Sequence, residues 1–141
     1  MNILILCTGN SCRSQIAEGY FRYFFGKRAN IYSAGVEVHG VNPNAVQTML
    51  ADGIDISSQT SNNISEYSDI HFDYVLTVCD NAQERCPVFV GRAERLHHNF
   101  ADPAKAVGTA AEIAAAFALV RDQIKTYIAN IATKWERLKN I

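Results

Sequence analysis

The sequence predicts a small α/β domain built on a four-stranded parallel sheet with helices on both faces. Three observations carry that prediction. Residues 2–6 form an apolar run without alternation, the signature of a strand buried on both faces. Helix-period segments, rather than tight turns, separate most of the later strand-like runs, as crossover connections require. The 141 residues suffice for one core and carry no repeat, low-complexity tract or linker, so one domain over 1–141 is expected.

After the first strand and a short polar loop, Ile16, Ala17, Tyr20, Phe21, Phe24 and Phe25 recur at helical spacing, and Gly26 offers a stop. Residues 30–33 read as a second strand ended by Ala34-Gly35. Residues 36–42 form a polar loop in which His39 reads as solvated. Asn42-Pro43 opens a second helix with Ala45, Val46, Met49 and Leu50 on its apolar face, and Gly53 closes it. Residues 54–64 are a polar connection, with a short helix over about 64–69. Residues 72–78 form the third strand and end at Cys79. The polar residues 80–85 suit a loop or one helical turn, stopped by Cys86-Pro87. Residues 95–100 are a weaker fourth strand. Ile113, Phe117, Val120, Ile124, Tyr127 and Ile131 then step by three and four, giving a final helix one apolar face. Residues 132–141 are expected to fray, apart from a packed Trp135. The expected order is βαβαβ-loop-βα with right-handed crossovers.

A net charge of -1 removes a global electrostatic case for nucleic acid. The start lacks a basic segment and its apolar run is too short for a leader or a membrane span, so a cytoplasmic location is expected. Four cysteines, Cys7, Cys12, Cys79 and Cys86, are too sparse for a disulfide scaffold. Their spacing lacks Cys-x2-Cys knuckles, so no metal site is expected.

The chemistry gathers at Cys7-Thr8-Gly9-Asn10-Ser11-Cys12-Arg13-Ser14, between a strand and a helix. A tight loop that opens a helix aims backbone N–H groups at one spot, where the macrodipole also favours negative charge. Gly9 and Asn10 suit the dihedrals of such a loop. Arg13 offers a rigid fork for two oxygens of a tetrahedral oxyanion. A cysteine in that field loses its proton easily, so Cys7 is expected to be the nucleophile, with Ser14 adding a hydroxyl hydrogen bond to its sulfur. Thr8, Gly9, Asn10, Ser11 and Cys12 then line the oxyanion with Arg13, and Cys12 itself packs. Asp102-Pro103, a turn after the fourth strand, directs a carboxyl that such chemistry uses as an acid. Cys79 and Cys86 are separated by six residues of a largely polar segment, few enough for the thiols to come within the Cα limit of about 7 Å for a disulfide.

Cys-x5-Arg-Ser between strand and helix resembles the phosphate loop of the low-molecular-weight protein tyrosine phosphatases. The wording CTGNSCRSQIAEG is similar to that of the thioredoxin-coupled arsenate reductases built on the same fold. Ser33-Ala34-Gly35 and Gly53-Ile54-Asp55 extend the resemblance over nearly the whole chain. It implies reduction of arsenate by a relay. Cys7 attacks arsenic with Asp102 assisting, Cys79 then attacks Cys7, Cys86 attacks Cys79, and thioredoxin reduces the resulting disulfide. It implies no bound cofactor, and a monomer is expected. Some members bind potassium; the matching positions are Asn10, Glu18, Ser33 and Asn62, where Asn62 replaces a carboxylate. After Asp102-Pro103 the chain reads Ala104-Lys105-Ala106, without the adjacent tyrosines of the tyrosine phosphatases. Two alternatives stay open on the sequence: a low-molecular-weight protein tyrosine phosphatase, and an oxyanion-binding redox sensor without turnover.

Overall fold

The computed structural model describes residues 1–80, 82 and 92–139, with side chains described as far as Glu136. Cys86 and most of the 80–87 segment lie outside the described residues. Four strands, β1 (Asn2–Cys7), β2 (Asn30–Gly35), β3 (Tyr74–Thr77) and β4 (Glu94–His97), pair in the order β2-β1-β3-β4. Every pairing is parallel. The apolar run Ile3-Leu4-Ile5-Leu6 is buried because β1 has a strand on each side and packed layers on both faces. β3 and β4 are shorter than their apolar and polar runs suggested, since pairing begins only at Tyr74 and ends at His97.

Three α-helices are described: α1 (Arg13–Phe25), α2 (Pro43–Ala51) and α3 (Ala110–Lys139). The stripe Ile16, Ala17, Tyr20, Phe21 and Phe25 is buried, and Gly26 ends α1 with φ 56°. α2 starts where expected: Asn42 Oδ1 accepts the Asn44 N–H at 2.8 Å, and Pro43 fills the first turn. Its apolar face differs from the expected one. Ala45 and Met49 are buried, but Leu50 is exposed, because α2 meets its neighbours through the Met49 side. Gly19 of α1 gives Met49 and Ile56 room; a Cβ there would lie 2.8 Å from the Met49 methyl.

The two faces of the sheet follow from strand alternation. Ser33 bonds Glu18 of α1, so Tyr32 points to the opposite face. There it packs edge-on against Tyr67 and Phe72, which arrive with the connection from α2 to β3. That connection holds a 3-10 helix at Ile64–Tyr67, capped at Asn63 through a reciprocal bond with Glu66.

The C-terminal helix corrects the expected fraying. α3 continues to Lys139; Ala132 is buried, and Trp135 packs on Phe25 with ring centroids 5.6 Å apart. Arg28 stacks over the Trp135 ring and pairs with Glu136. The period-3.6 stripe read from the sequence stopped at Ile131, but the docking partners Phe25 and Arg28 come from the end of α1. No helix among the described residues is long and apolar enough to cross a membrane.

Candidate active site

Cys7 ends β1, and the loop of residues 8–12 leads directly into α1. The loop carbonyls are satisfied from outside. Glu37 N–H donates to Thr8 O and His39 N–H to Gly9 O, both at 2.9 Å, and Asn42 N–H donates to Ser11 O at 3.0 Å. Gln15 Nε2 donates to Asn10 O at 3.0 Å, and Ile16 N–H to Cys12 O at 2.9 Å. Within a planar peptide unit C=O and N–H point oppositely. Carbonyls pulled outward therefore turn the loop's amides inward, into a cavity of about 470 Å³ lined by Cys7, Gly9, Ser11, Arg13, Cys79 and Asp102.

Asn10 holds this shape. It is fully buried and left-handed, with φ 49°. Its Nδ2 donates to Ser14 Oγ at 2.8 Å and Ser33 Oγ at 3.0 Å, while Oδ1 accepts the Asn62 N–H at 2.7 Å. Ser14 thus serves the loop through Asn10, a correction to the hydrogen bond expected between its hydroxyl and the Cys7 sulfur. The reason is geometric: the left-handed turn brings the Asn10 amide back onto the first turn of α1.

Arg13 and Asp102 meet at the cavity. Arg13 donates from Nη1 to Phe100 O at 2.9 Å, and its Nη2 lies 3.7 Å from Asp102 Oδ2. Asp102 caps the 3-10 helix Pro103–Lys105, with Oδ1 accepting the Ala104 N–H at 3.0 Å. Cys12 is buried at the N-cap of α1. Burial, then the Asp102 charge, pushes its thiol up to about 11.

Cys79, two residues past the end of β3, comes beside Cys7 because β3 is β1's neighbour. The two thiols hydrogen-bond each other, and Thr8 Oγ1 lies 3.2 Å from Cys79 Sγ. The Ala82 N–H donates to the same sulfur at 3.4 Å. Each thiol shifts the other's ionisation. The Cys7 thiol is pushed up by its hydrogen bond to Cys79 and by burial, with Arg13 opposing. The Cys79 thiol is lowered to about 5, first by that bond from Cys7 and then by Thr8 and the Ala82 amide. The two thiols titrate as a pair and hold one negative charge between them.

His39 is exposed, as expected, and has a place at the site as well. Its ring covers Gly9 at the cavity mouth, where a Cβ on Gly9 would lie 2.8 Å from the ring Cγ, and Nε2 is 2.9 Å from Glu37 Oε2. No sequence pattern carried that placement; the backbone bonds from Glu37 and His39 to the loop create it.

The positions matching a potassium site are near one another but already engaged. Ser33 Oγ donates to Glu18 Oε1 at 2.5 Å, and Arg22 Nε donates to Oε2 at 3.0 Å. Asn10 Oδ1 holds the Asn62 amide, and Asn62 Oδ1 accepts from Thr60 at 2.7 Å. Arg22 neutralises the only carboxylate of the set, so these residues do not fit a further cation. Among the described residues, no other group of His, Cys, Asp and Glu is arranged for a metal.

The family model for low molecular weight phosphotyrosine protein phosphatase matches residues 2–140. An arsenate reductase of Halalkalibacterium halodurans is 50% identical over 130 residues, covering 92% of this chain and 94% of that protein. An arsenate reductase of Bacillus subtilis is 51% identical over 124 residues, covering 86% and 88%. A solved arsenate reductase in the phosphate binding state superposes with a TM-score of 0.81 at 30% identity, covering 94% and 97%. An arginine phosphatase with a phosphorylated active site serine has a TM-score of 0.80 at 21% identity, covering 96% of each chain, a likeness of fold alone. A match over nearly the whole chain, with relatives at half identity, means that this chain belongs to the low molecular weight phosphotyrosine protein phosphatase family, alongside its arsenate reductases.

Proposed function

We propose that the protein reduces arsenate to arsenite by passing two thiol electrons through Cys7, Cys79 and Cys86, and that thioredoxin restores the thiols. The observation that carries this reading is that Cys7 and Cys79, brought together by the pairing of β1 with β3, line one oxyanion cavity. A phosphatase needs one sulfur there; a reductase needs a second within reach.

In the proposed sequence the loop amides and Arg13 hold the arsenate oxygens. Cys7 Sγ attacks arsenic as the thiolate. Asp102 protonates the departing hydroxide, which leaves as water. With Cys7 bound to arsenic, Cys79 gives up its proton to an arsenic-bound oxygen and attacks the Cys7 sulfur. The S–As bond breaks toward arsenic, which takes the electron pair and leaves as arsenite. Cys86 then attacks Cys79, displacing the Cys7 thiolate and leaving a Cys79–Cys86 disulfide. A thioredoxin dithiol reduces that bond. No flavin, haem or nicotinamide is needed in this cycle, and a reducing cytoplasm suits it.

The test is arsenate turnover with thioredoxin, thioredoxin reductase and a nicotinamide reductant, joined to peptide mapping. Cys79→Ser and Cys86→Ser should both lose multiple turnover. Cys86→Ser should accumulate a Cys7–Cys79 disulfide, and wild type should accumulate Cys79–Cys86 after one turnover without thioredoxin. Wild type with no Cys79–Cys86 bond refutes the relay. Oxidation that halts after one event even with thioredoxin present favours a sensor.

A further inference from the structure

The strand end that carries Cys79 is held by contacts that the relay does not use. In the parallel register Thr77 lies opposite His97. Thr77 Oγ1 is 2.7 Å from His97 Nδ1, and His97 Nε2 is 2.8 Å from Asp80 Oδ1. A carboxylate only accepts, so Nε2 carries a proton toward Asp80. The Asp80 N–H also donates to Asn99 Oδ1 at 3.2 Å. Asp80 is thus tied to the end of β4 through side chain and main chain. It immediately follows Cys79, and two residues on is the Ala82 amide that donates to the sulfur. A side-chain hydrogen bond whose carboxylate is 67% exposed contributes little to global stability, so its effect is sought in placement.

We propose that His97, acting through Asp80, is a positioning residue for the second thiol. It anchors Asp80, next to Cys79, so that the Ala82 amide faces the sulfur and the sulfur faces Cys7. Thr77 orients the imidazole from below in the register. The first half of the chemistry, at Cys7, Arg13 and Asp102, does not depend on this pair. The kinetic part of the proposal rests on the relay proposed above; the placement of Cys79 does not.

The test uses the full chain with His97→Leu, His97→Gln and, as a second disruption at an exposed side chain, Asp80→Ala. Iodoacetamide labelling of Cys79 at pH 7, read by peptide mapping, should slow about tenfold in His97→Leu and in Asp80→Ala, the effect of one charge-assisted hydrogen bond. In a Cys86→Ser background, formation of the Cys7–Cys79 disulfide after arsenate should slow by a similar factor in both. His97→Gln, whose amide can still donate to Asp80, should recover most of each rate. Hydrolysis of a small aryl phosphate should stay within about twofold of wild type in both His97 variants, since it uses only the first sulfur. Unchanged labelling overturns the proposal. So does a parallel fall of labelling and aryl phosphate hydrolysis, which marks a packing defect. Absence of the Cys7–Cys79 disulfide in the unmutated His97 background defeats the relay alone. Slowed labelling with glutamine rescue then still supports the placement, and its absence overturns it.

Discussion

Replacing Asn10 with alanine tests whether the oxyanion loop is held from below by one side chain. The change deletes three hydrogen bonds, to Ser14, Ser33 and the Asn62 amide, and leaves a Cβ-bearing residue without a local polar partner at φ 49°. Three bonds at about 1 kcal/mol each, plus about 1 kcal/mol for alanine in the left-handed region, give an upper figure near ~4 kcal/mol. The two serine hydroxyls can rotate to other partners, so the expected loss is about 3 kcal/mol. Urea denaturation at fixed pH measures it as a lower midpoint at unchanged slope. Ser33→Ala removes one of the same bonds and should cost about 1–2 kcal/mol, with the double variant losing less than the sum because the two share that bond. Calorimetry with inorganic phosphate supplies the functional readout. Affinity should fall at least about tenfold in Asn10→Ala, because amides that are no longer aimed lose charge-assisted bonds to the anion. A loss under about 1 kcal/mol with unchanged phosphate affinity would refute the reasoning and assign the loop's shape to the outer backbone bonds alone.

Gly35→Ala should destabilise more than Gly9→Ala. A Cβ at Gly35 meets only backbone, the Thr8 carbonyl at 2.7 Å and the Asn10 amide at 2.8 Å among it, whereas one at Gly9 meets the half-exposed His39 ring, which can swing away. Thermal melts should separate the two by about 1–3 kcal/mol, and equal values would count against the close approach. Asp102→Asn should slow the first arsenate step by roughly 10²–10⁴-fold in single turnover while leaving phosphate affinity nearly intact; an unchanged rate assigns the proton to another donor. The thiol pair makes stability depend on pH. Cys79 is lowered from an ordinary value of 9.0 to about 5, so between those values the unfolded chain binds the extra proton and stability rises with pH. Above that range the unfolded chain also releases the Cys7 proton, which the folded pair retains because Cys7 is raised, so stability falls. The rise between about pH 5.5 and 8 should vanish when both thiols are removed, in Cys7→Ser with Cys79→Ser, and a wild-type-minus-variant difference that stays constant would sink this assignment.

What the sequence determines here is what lies within a few residues or one helical period. Cys7, the loop and Arg13 are legible because a strand end, a tight turn and a helix start are local events, and seven residues span them. The stripes of α1 and α3 are legible because a 3.6-residue period is a property of the chain alone. The burial of Leu50 and the end of α3 were misjudged for the same reason: periodicity says that a face is apolar, not what stands opposite it. Trp135 is ordered by Phe25, 110 positions earlier, and that contact exists only once α1 and α3 pack. Strand order decides the rest. Because β3 pairs with β1, Cys79 arrives beside Cys7; because β4 pairs with β3, His97 reaches Asp80 and the chain after it delivers Asp102 to Arg13. Sequence spacing cannot encode these meetings, since the separations are tens of residues and the hydrogen-bonded order β2-β1-β3-β4 is not the chain order. The ionisation of the thiols belongs to the same class: it follows from which donors surround each sulfur, and Thr8 and Ala82 reach Cys79 only in the folded sheet.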